Sequence, residues 1–164
     1  MSQDPVPAIA AAIVAAGRGE RAGQTGEGPK QYRRIGGEPI LRRTLRAFLC
    51  HPSIGPVAIA IHPDDNKLAQ EAIGDLGDGR VRIVHGGASR QASVLAALEA
   101  LADCPPDHVL IHDGVRPFLD GELIDRIIAG LASGCGVLPA MAVADTLKRA
   151  DGNGKVVATE PREG

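Results

Sequence analysis

Two stretches decide the fold: residues 12–32, AIVAAGRGERAGQTGEGPKQY, and residues 112–117, HDGVRP. The first begins as an apolar run and becomes a glycine-rich, basic loop, and the second places Asp113 directly after another apolar run. Backbone N–H groups that can surround phosphate, together with a carboxylate at a strand end, are typical of sites that handle nucleotides and magnesium. The two stretches therefore predict a nucleotide site at the edge of a sheet.

Short apolar runs recur along the chain, with amphipathic stretches between them. Continuous apolar runs are typical of strands buried on both faces of a sheet. Strands that alternate with helices indicate an α/β fold, with a mainly parallel sheet and helices on both faces. The five runs are Ala10–Ala16, residues 57–61, Val81–Val84, residues 109–111 and Val137–Val143.

Each amphipathic stretch begins at a residue suited to start a helix. Pro39 suits a first helical position, and Asp64, Ser89 and Asp120 suit N-caps. Apolar residues at helical spacing follow each of them and are predicted to face the sheet. They include Leu68, Leu95 and Ile124.

The pattern changes after Val143. Residues 145–160, DTLKRADGNGKVVATE, place two short segments on either side of DGNG, which is a strong hairpin signal. This predicts a β-arm over residues 144–161 that projects from a single domain spanning residues 1–164. The sequence then reads PREG, and no helical pattern follows the arm.

Composition excludes several classes of partner. The 18 Lys and Arg residues are balanced by 20 Asp and Glu residues, so the net charge is −2, and only 2% of residues are aromatic. Without a basic field or stacking platforms, we expect no binding to nucleic acid.

The cysteines and the apolar segments bear on the compartment. Cys50, Cys104 and Cys135 show no metal-binding spacing and are odd in number, so we expect buried free thiols in a reducing cytoplasm. The apolar stretch at residues 8–16 is shorter than the roughly 18 residues of a membrane span and lacks a basic segment before it. We therefore expect neither a membrane association nor a signal peptide.

The loop after the first run has glycines at 17, 19 and 23, a spacing that differs from the dinucleotide-binding G-x-G-x-x-G. No GK[ST] sequence follows, so the loop is not a Walker A motif. Arg18, Arg21 and Lys30 bring three cations to the loop, which suits a triphosphate. The alternative is an ordinary flexible loop between a strand and a helix.

Two further segments are candidates for ligand contact. Asp113 can hold Mg²⁺ that bridges phosphates, or it can simply cap a turn, and Arg116 can bind a substrate phosphate or pair with Asp113. His112 is predicted to serve in packing rather than as a base. In HGGASRQAS, residues 85–93, the two glycines allow close approach of a base to the backbone, although an ordinary capped turn also explains them.

Four segments together carry a family resemblance: AAGRGERAGQTGEGPKQY at 15–32, GGASRQAS at 86–93, HDGVRP at 112–117 and VADTLKRA at 143–150. In this order they resemble the 2-C-methyl-D-erythritol 4-phosphate cytidylyltransferases of the non-mevalonate isoprenoid pathway, from about residue 9 to residue 164. The resemblance implies a Rossmann-like three-layer nucleotidyltransferase domain and a homodimer interlocked through the β-arm. The resemblance also implies that the domain is incomplete at its C terminus, because the family's domain is longer. In some relatives a cyclodiphosphate synthase domain is fused downstream.

The implied reaction is the transfer of CMP from CTP to 2-C-methyl-D-erythritol 4-phosphate with release of pyrophosphate, and the cofactor is Mg²⁺ or another divalent cation. The implied catalytic residues are Arg21, Lys30 and Asp113, and Asp113 is also the metal ligand. The implied nucleotide-binding residues are Ala15, Ala16, Gly17, Gly87, Ser93 and Gly114. The implied substrate-binding residues are Arg116, Thr146 and Arg162, of which the last two would reach the site of the neighbouring subunit.

Ala88 departs from the family pattern, because an acidic residue commonly follows the two glycines there. Two alternatives stay open at this point. The chain could be another sugar- or polyol-phosphate nucleotidyltransferase, or a non-catalytic nucleotide-binding domain.

Overall fold

The computed structural model describes residues 8–18, 28–77, 79–134 and 136–162. The chain divides into two units, Met1–Ile124 and Asp125–Gly164, and each is described by itself. The prediction of one domain over residues 1–164 stays a prediction.

The first unit alternates strands and helices as the apolar runs predicted. In chain order its elements are β1 (Ile9–Ala15), β2 (Arg34–Ile35), β3 (Glu38–Pro39), α1 (Ile40–Leu49), β4 (Ile54–Ile61), α2 (Asn66–Ile73), β5 (Val81–His85), α3 (Arg90–Glu99) and β6 (His108–Asp113). Helix α4 (Gly121–Leu131) then runs into the second unit. Short 3-10 turns lie at Lys30–Tyr32, Pro63–Asp65 and Gly74–Leu76.

Four strands form a parallel sheet in the order β5-β4-β1-β6. The chain runs outward from β1 to β4 and β5, and then returns to place β6 on the other side of β1. Between β1 and β6 the strand order therefore reverses, and in open α/β sheets a crevice for ligands forms outside the carboxyl ends of the strands at such a point. The small antiparallel pair β2–β3 lies apart from this sheet.

The two faces of the central strands carry side chains of different size. Ala10 and Ala12 of β1 pack in a cluster with Ala97 and Leu101 of the α3 region, and small side chains let that helix lie close to the sheet. Because side chains alternate along a strand, Ile13 and the other odd-numbered residues of β1 face the opposite side, where α1 contacts β1 and β4. This arrangement confirms the α/β class with a mainly parallel sheet.

Three of the predicted helix starts are close to the observed ones. The side chain of Ser89 accepts a hydrogen bond from the backbone N–H of Ala92, and that of Asp120 accepts one from Leu123, so both predicted caps are confirmed. Pro39 is the N-cap of α1 rather than its first residue, so the helix begins one residue later than predicted.

The prediction that Asp64 caps α2 was wrong, and so were the predictions that Leu68 and Leu95 face inward. A 3-10 turn over residues 63–65 precedes α2 and makes Asp65 its N-cap. Leu68 is exposed because α2 buries the neighbouring Ala69 instead. Leu95 is exposed because α3 buries Ser93 and Ala97, which lie four residues apart on one face.

The predicted fifth strand, Val137–Val143, was also wrong. Residues 136–147 form neither helix nor strand, and Met141 is 93% exposed. An apolar run forms a strand only when a neighbouring strand takes its backbone hydrogen bonds, and no other strand of the described segments pairs with this one.

The second unit contains the hairpin predicted at DGNG. Strands β7 (Lys148–Ala150) and β8 (Val156–Thr159) pair antiparallel. The carboxylate of Asp151 accepts hydrogen bonds of 2.9 Å from the backbone N–H groups of Asn153 and Lys155. Gly154 has φ +80°, a left-handed conformation that glycine adopts without strain.

Two remaining expectations can be compared with the structure. The thiols of Cys50 and Cys104 are free as predicted, but they are exposed rather than buried, and Cys135 lies outside the described residues. Among the helices of the described segments, none is both long and apolar enough to cross a membrane.

Candidate active site

A cavity of about 920 Å³ opens at the carboxyl ends of the parallel strands. All four strands contribute to it, as expected for a site at the point where the strand order reverses. The lining comes from residues 14–18 at and beyond the end of β1, residues 62–63 after β4, residues 86–90 after β5, residues 113 and 115 at and beyond the end of β6, and residues 30, 31 and 93. Its volume lies within the range of small-molecule sites.

The beginning of the glycine-rich loop is held by a buried amide. The side chain of Gln31, only 2% exposed, donates hydrogen bonds to the backbone carbonyls of Ala15 at 2.7 Å and Gly17 at 3.2 Å. Ala16 lies between them and lines the cavity. The three nucleotide-binding residues predicted at the end of β1 and directly after it thus line the cavity in a backbone held by hydrogen bonds. Gln31 itself was not predicted for the site, although a glutamine beside Lys30 in a turn was a signal for it.

Arg18 does not stand ready for phosphate, as its place among the loop cations suggested. Its guanidinium donates to Asp65 at 3.0 Å and to Asp64 at 2.8 Å, and it lies 2.6 Å from Nδ1 of His62. Asp65 is 2% exposed, so this ion pair ties the loop to the turn after β4. Lys30 lines the cavity. Arg21 lies outside the described residues, and its predicted role stays a prediction.

Tyr32 lies close to the same buried carboxylate. Burial of the ring, together with the negative charge of Asp65, raises the pKa of the Tyr32 hydroxyl above its ordinary value of 10.0. Tyr32 is therefore neutral at physiological pH.

The turn after β5 needs its two glycines for packing. A Cβ on Gly86 would lie 2.6 Å from the Cβ of Ala16 and from Oγ of Ser93, and a Cβ on Gly87 would lie 2.4 Å from the Cβ of Ala92. Contacts this short are not tolerated, so the turn can lie against β1 and α3 only with glycine at both positions. Gly87 and Ser93 both line the cavity, where base contact was predicted.

Asp113 is held by two arginines. Its Oδ1 accepts hydrogen bonds from Arg90 Nε at 3.1 Å and Nη2 at 3.0 Å, and its Oδ2 accepts one from Arg116 Nε at 3.0 Å. Partial burial acts to raise the pKa of Asp113, but the hydrogen bonds and charges of the two arginines outweigh it and lower the pKa. The carboxylate is therefore ionised at neutral pH. Arg90 was not predicted for the site; its position at the start of α3 beside the glycine turn was the available signal.

His112 and Gly114, the residues on either side of Asp113, both contact side chains of α1. The ring of His112 packs edge-on against Phe48 at 5.3 Å, and burial lowers the pKa of this histidine despite the opposing charge of Asp113. This packing agrees with the prediction that His112 is not a base. Gly114 is buried, and its carbonyl accepts a hydrogen bond from Thr44 Oγ1 at 3.1 Å. Its predicted ribose contact stays a prediction.

Thr146 and Arg162, predicted to contact substrate, belong to the second unit. Both are exposed, and Arg162 donates to the backbone carbonyl of Ala144 at 2.9 Å. That bond holds the base of the hairpin closed beside Thr146. Their roles at a substrate site stay predictions.

The donor set fits a divalent cation that arrives with phosphates. No cluster of three or more His, Cys, Asp or Glu side chains suited to a metal occurs within the described segments. Asp113 is one ionised carboxylate at the edge of the cavity, and Mg²⁺ is usually bound by one or two carboxylates together with substrate phosphates and water. Asp113 therefore fits as the protein ligand of a metal held mainly by a nucleotide.

A parallel sheet with its cavity at the strand-order reversal, a loop held at the end of β1 and an acidic residue at the end of β6 define an α/β protein of the nucleotidyltransferase fold class. Comparison with known proteins gives the family. Residues 9–164 match the family described as 2-C-methyl-D-erythritol 4-phosphate cytidylyltransferase. The chain belongs to this family.

Relatives agree at the level of sequence and of fold. The "bifunctional enzyme IspD/IspF" of Chelativorans sp. is 53% identical over 156 residues, and that of Brucella anthropi is 55% identical over 156 residues. Both alignments cover 95% of this chain. A crystal structure titled 4-diphosphocytidyl-2C-methyl-D-erythritol synthase, from Anaerococcus prevotii, superposes with a TM-score of 0.74 at 31% identity. The matched region covers 94% of this chain and 65% of the Anaerococcus prevotii chain.

The chain spans 38% of the length of the two bifunctional relatives.

Proposed function

We propose that this protein transfers CMP from CTP to 2-C-methyl-D-erythritol 4-phosphate, in the presence of Mg²⁺, and releases pyrophosphate in the non-mevalonate route to isoprenoid precursors. The observation that carries the proposal is the cavity, in which the held end of β1, Lys30, the glycine turn and Asp113 come together. Family membership supports the choice of nucleotide and acceptor.

The reaction asks little covalent chemistry of the protein. A phosphate oxygen of the acceptor, already ionised near neutral pH, attacks the α-phosphorus of CTP while the bond from that phosphorus to the bridging oxygen of pyrophosphate breaks. The acceptor needs no general base, which agrees with the packed and neutral state of His112. What the protein must supply is alignment and positive charge.

The residues divide this work by position. Ala15, Ala16 and Gly17 present backbone to the nucleotide, and Gly87 and Ser93 face the base. Lys30 supplies a cation in the cavity for the charge that develops on the phosphates. Arg21 keeps the catalytic role, Gly114 the nucleotide-binding role and Arg116 the substrate-binding role that the resemblance implies.

Asp113 is the residue that would hold the divalent cation. When bound, such a cation neutralises phosphate charge and so favours departure of pyrophosphate. Before the cation binds, the two arginines keep the carboxylate ionised and oriented.

Partners form a further part of the proposal. The hairpin is proposed to interlock with that of a second copy in a homodimer, so that Thr146 and Arg162 reach the partner's substrate, and exposed Val156 and Val157 offer apolar surface for it. The relatives named bifunctional support a cyclodiphosphate synthase domain fused to this one. A cytoplasmic location is also proposed.

Sedimentation equilibrium tests the proposed homodimer. Twice the monomer mass is expected, and a monomer at micromolar concentration would contradict it.

The experiment that tests the function follows pyrophosphate release from CTP, the methylerythritol phosphate and Mg²⁺. The wild type should release pyrophosphate, and Lys30→Ala should lower the rate by roughly 10²–10³, as when one preorganised charge-stabilising donor is removed. The matched control is Lys67→Ala, which removes an exposed lysine of α2. The nitrogen of this lysine lies as far as 4.0 Å from the Glu71 carboxylate.

Equal rates for Lys30→Ala and wild type would contradict the role of the cavity. Release with another sugar or polyol phosphate in place of the methylerythritol phosphate would instead show a different nucleotidyltransferase. Binding of CTP without any release would indicate a non-catalytic domain.

A further inference from the structure

Three hydrogen bonds from arginines occupy three of the roughly four lone-pair sites of the Asp113 carboxylate. Oδ1 accepts both Nε and Nη2 of Arg90, and Oδ2 accepts Nε of Arg116. A metal ligand must offer at least one oxygen lone pair toward the metal, and an arginine that donates to the same oxygen competes for it. Both lone pairs of Oδ1 are in use, so a cation that binds Oδ1 has to displace at least part of the Arg90 ion pair.

The two arginines are not equivalent. Arg90 lines the cavity, whereas Arg116 is not among the lining residues. Arg90 also makes two hydrogen bonds to a single oxygen, while Arg116 makes one. Oδ1 is thus the oxygen held from the cavity side, where a nucleotide and its metal would be.

We propose that Arg90 is a positioning residue that holds Asp113 in the metal-free protein and gives up Oδ1 to the divalent cation that arrives with the nucleotide. Arg90 and the metal then bind Oδ1 in alternation, and the protein keeps an ionised carboxylate oriented without a resident metal. This inference rests on the proposed function, because it takes CTP as the nucleotide.

Local structure makes this exchange feasible. Arg90 is the first residue of α3, its side chain is 62% exposed, and its two bonds to Asp113 are the side-chain hydrogen bonds that the structure shows for it. The backbone of its turn is fixed independently, by the Ser89 cap and by the two glycines. The guanidinium can therefore leave Asp113 while the turn keeps its shape.

The test compares the CTP dissociation constant in EDTA with that in Mg²⁺, measured by isothermal titration calorimetry without the acceptor. The ratio of the two constants reports how strongly metal and nucleotide support each other's binding. Arg90→Gln should raise this ratio roughly two- to fivefold over the wild type, the range expected for a partly exposed ion pair. Arg90→Lys should return it toward the wild-type value.

The matched control is Arg116→Gln, which removes the same charge from the other oxygen of the same carboxylate. Competition for Oδ1 predicts a clearly smaller increase in the ratio for Arg116→Gln than for Arg90→Gln. Equal increases would overturn the inference, because nearby charge alone would then set the metal affinity. Asp113→Asn combined with Arg90→Gln should abolish the increase. Circular dichroism checks that each variant is folded.

The outcomes separate the inference from the proposed function. If the wild type binds CTP and Arg90→Gln leaves the ratio unchanged, the inference alone is overturned. If the wild type binds no CTP, the proposed function is overturned and the inference falls with it.

Discussion

The side-chain amide of Gln31 donates a hydrogen bond of 2.7 Å to the backbone carbonyl of Ala15, the last residue of β1. Its other contact, to the carbonyl of Gly17, continues the same interaction into the loop. A buried side chain thus fixes the point at which a strand becomes the loop that we propose binds phosphate. Where the backbone must be correct before a ligand arrives, a buried polar contact of this kind preorganises it.

Gln31→Met tests this contact because it keeps the side-chain length and removes both donors. Buried carbonyls that lose a partner destabilise a protein by about 1–3 kcal/mol, so the free energy of unfolding should fall by this amount. CTP should also bind more weakly, since the loop is no longer fixed. Urea denaturation and calorimetry measure the two effects. Gln70→Met, on the exposed side of α2, serves as the control, and equal behaviour of the two variants would contradict the account.

Gly17 and Gly86 should respond differently to alanine. A Cβ at Gly17 meets nothing within 4 Å, whereas a Cβ at Gly86 lies 2.6 Å from Ala16 and Ser93. Gly86→Ala should therefore lower the free energy of unfolding by about 1–3 kcal/mol through overpacking. Gly17→Ala should leave stability nearly unchanged and weaken CTP binding, because the methyl group occupies space used by the nucleotide. A Gly17→Ala variant that binds CTP normally would show that the nucleotide does not approach there.

Tyr32 is the single tyrosine of a chain without tryptophan, so the ultraviolet absorbance of tyrosinate reports its ionisation directly. Its pKa is raised by burial and by Asp65. The folded protein should therefore titrate above the ordinary value of 10.0, and the protein in urea at that value. A midpoint at the ordinary value in the folded protein would contradict the buried position. Asp65→Asn should lower the midpoint, since it removes a negative charge.

The sign of the stability effect follows from the same shift. An acid whose pKa is raised on folding holds its proton more tightly in the folded state, so its contribution is complete below pH 10.0 and is lost as pH rises through the folded pKa. The free energy of unfolding, measured by urea denaturation, should fall as the pH rises above 10.0 in the wild type and should fall less steeply in Tyr32→Phe. Identical slopes would exclude Tyr32 as the cause.

Arg18 and Asp65 should be strongly coupled. Asp65 is buried, so Arg18→Met leaves a carboxylate without its main partner and should destabilise the protein by roughly 2–3 kcal/mol, somewhat below the value for a fully buried pair. Adding Asp65→Asn should recover part of the loss. Urea denaturation of both single variants and the double variant gives the coupling energy. If the effects of the two substitutions on the free energy of unfolding simply add, the pairing of Arg18 with Asp65 is contradicted. Lys67→Met, at an exposed pair, is the control.

The sheet could be predicted from the sequence because buried parallel strands read as continuous apolar runs. The run at β4 and the caps at Ser89 and Asp120 needed only local information. The run Val137–Val143 is also apolar but has no partner strand among the described residues, and apolar character does not show pairing. The predicted inward faces of α2 and α3 were wrong at Leu68 and Leu95 because Ala69 and Ala97 are among the residues that these helices bury instead.

At the site, the sequence pointed to the loop, the glycine turn and Asp113 through their positions after apolar runs. It could not show which charges would pair. Arg18 looked like a phosphate ligand until the turn after β4 placed Asp65 against it. Arg90 was passed over because its partner, Asp113, is 23 residues away in the chain. Contacts between strand ends depend on topology, which is fixed only once the strand order is known.

The most direct test of the central claim follows the phosphorus atoms of CTP. The protein is supplied with Mg²⁺, the methylerythritol phosphate and CTP that carries a radioactive label either at the α- or at the γ-phosphate. Nucleotidyl transfer predicts that the α label appears in the CDP-alcohol and the γ label in pyrophosphate, with both lost in Lys30→Ala and retained in Lys67→Ala. Transfer of the γ label to the acceptor, or retention of the α label in CTP with folded protein, would contradict the account.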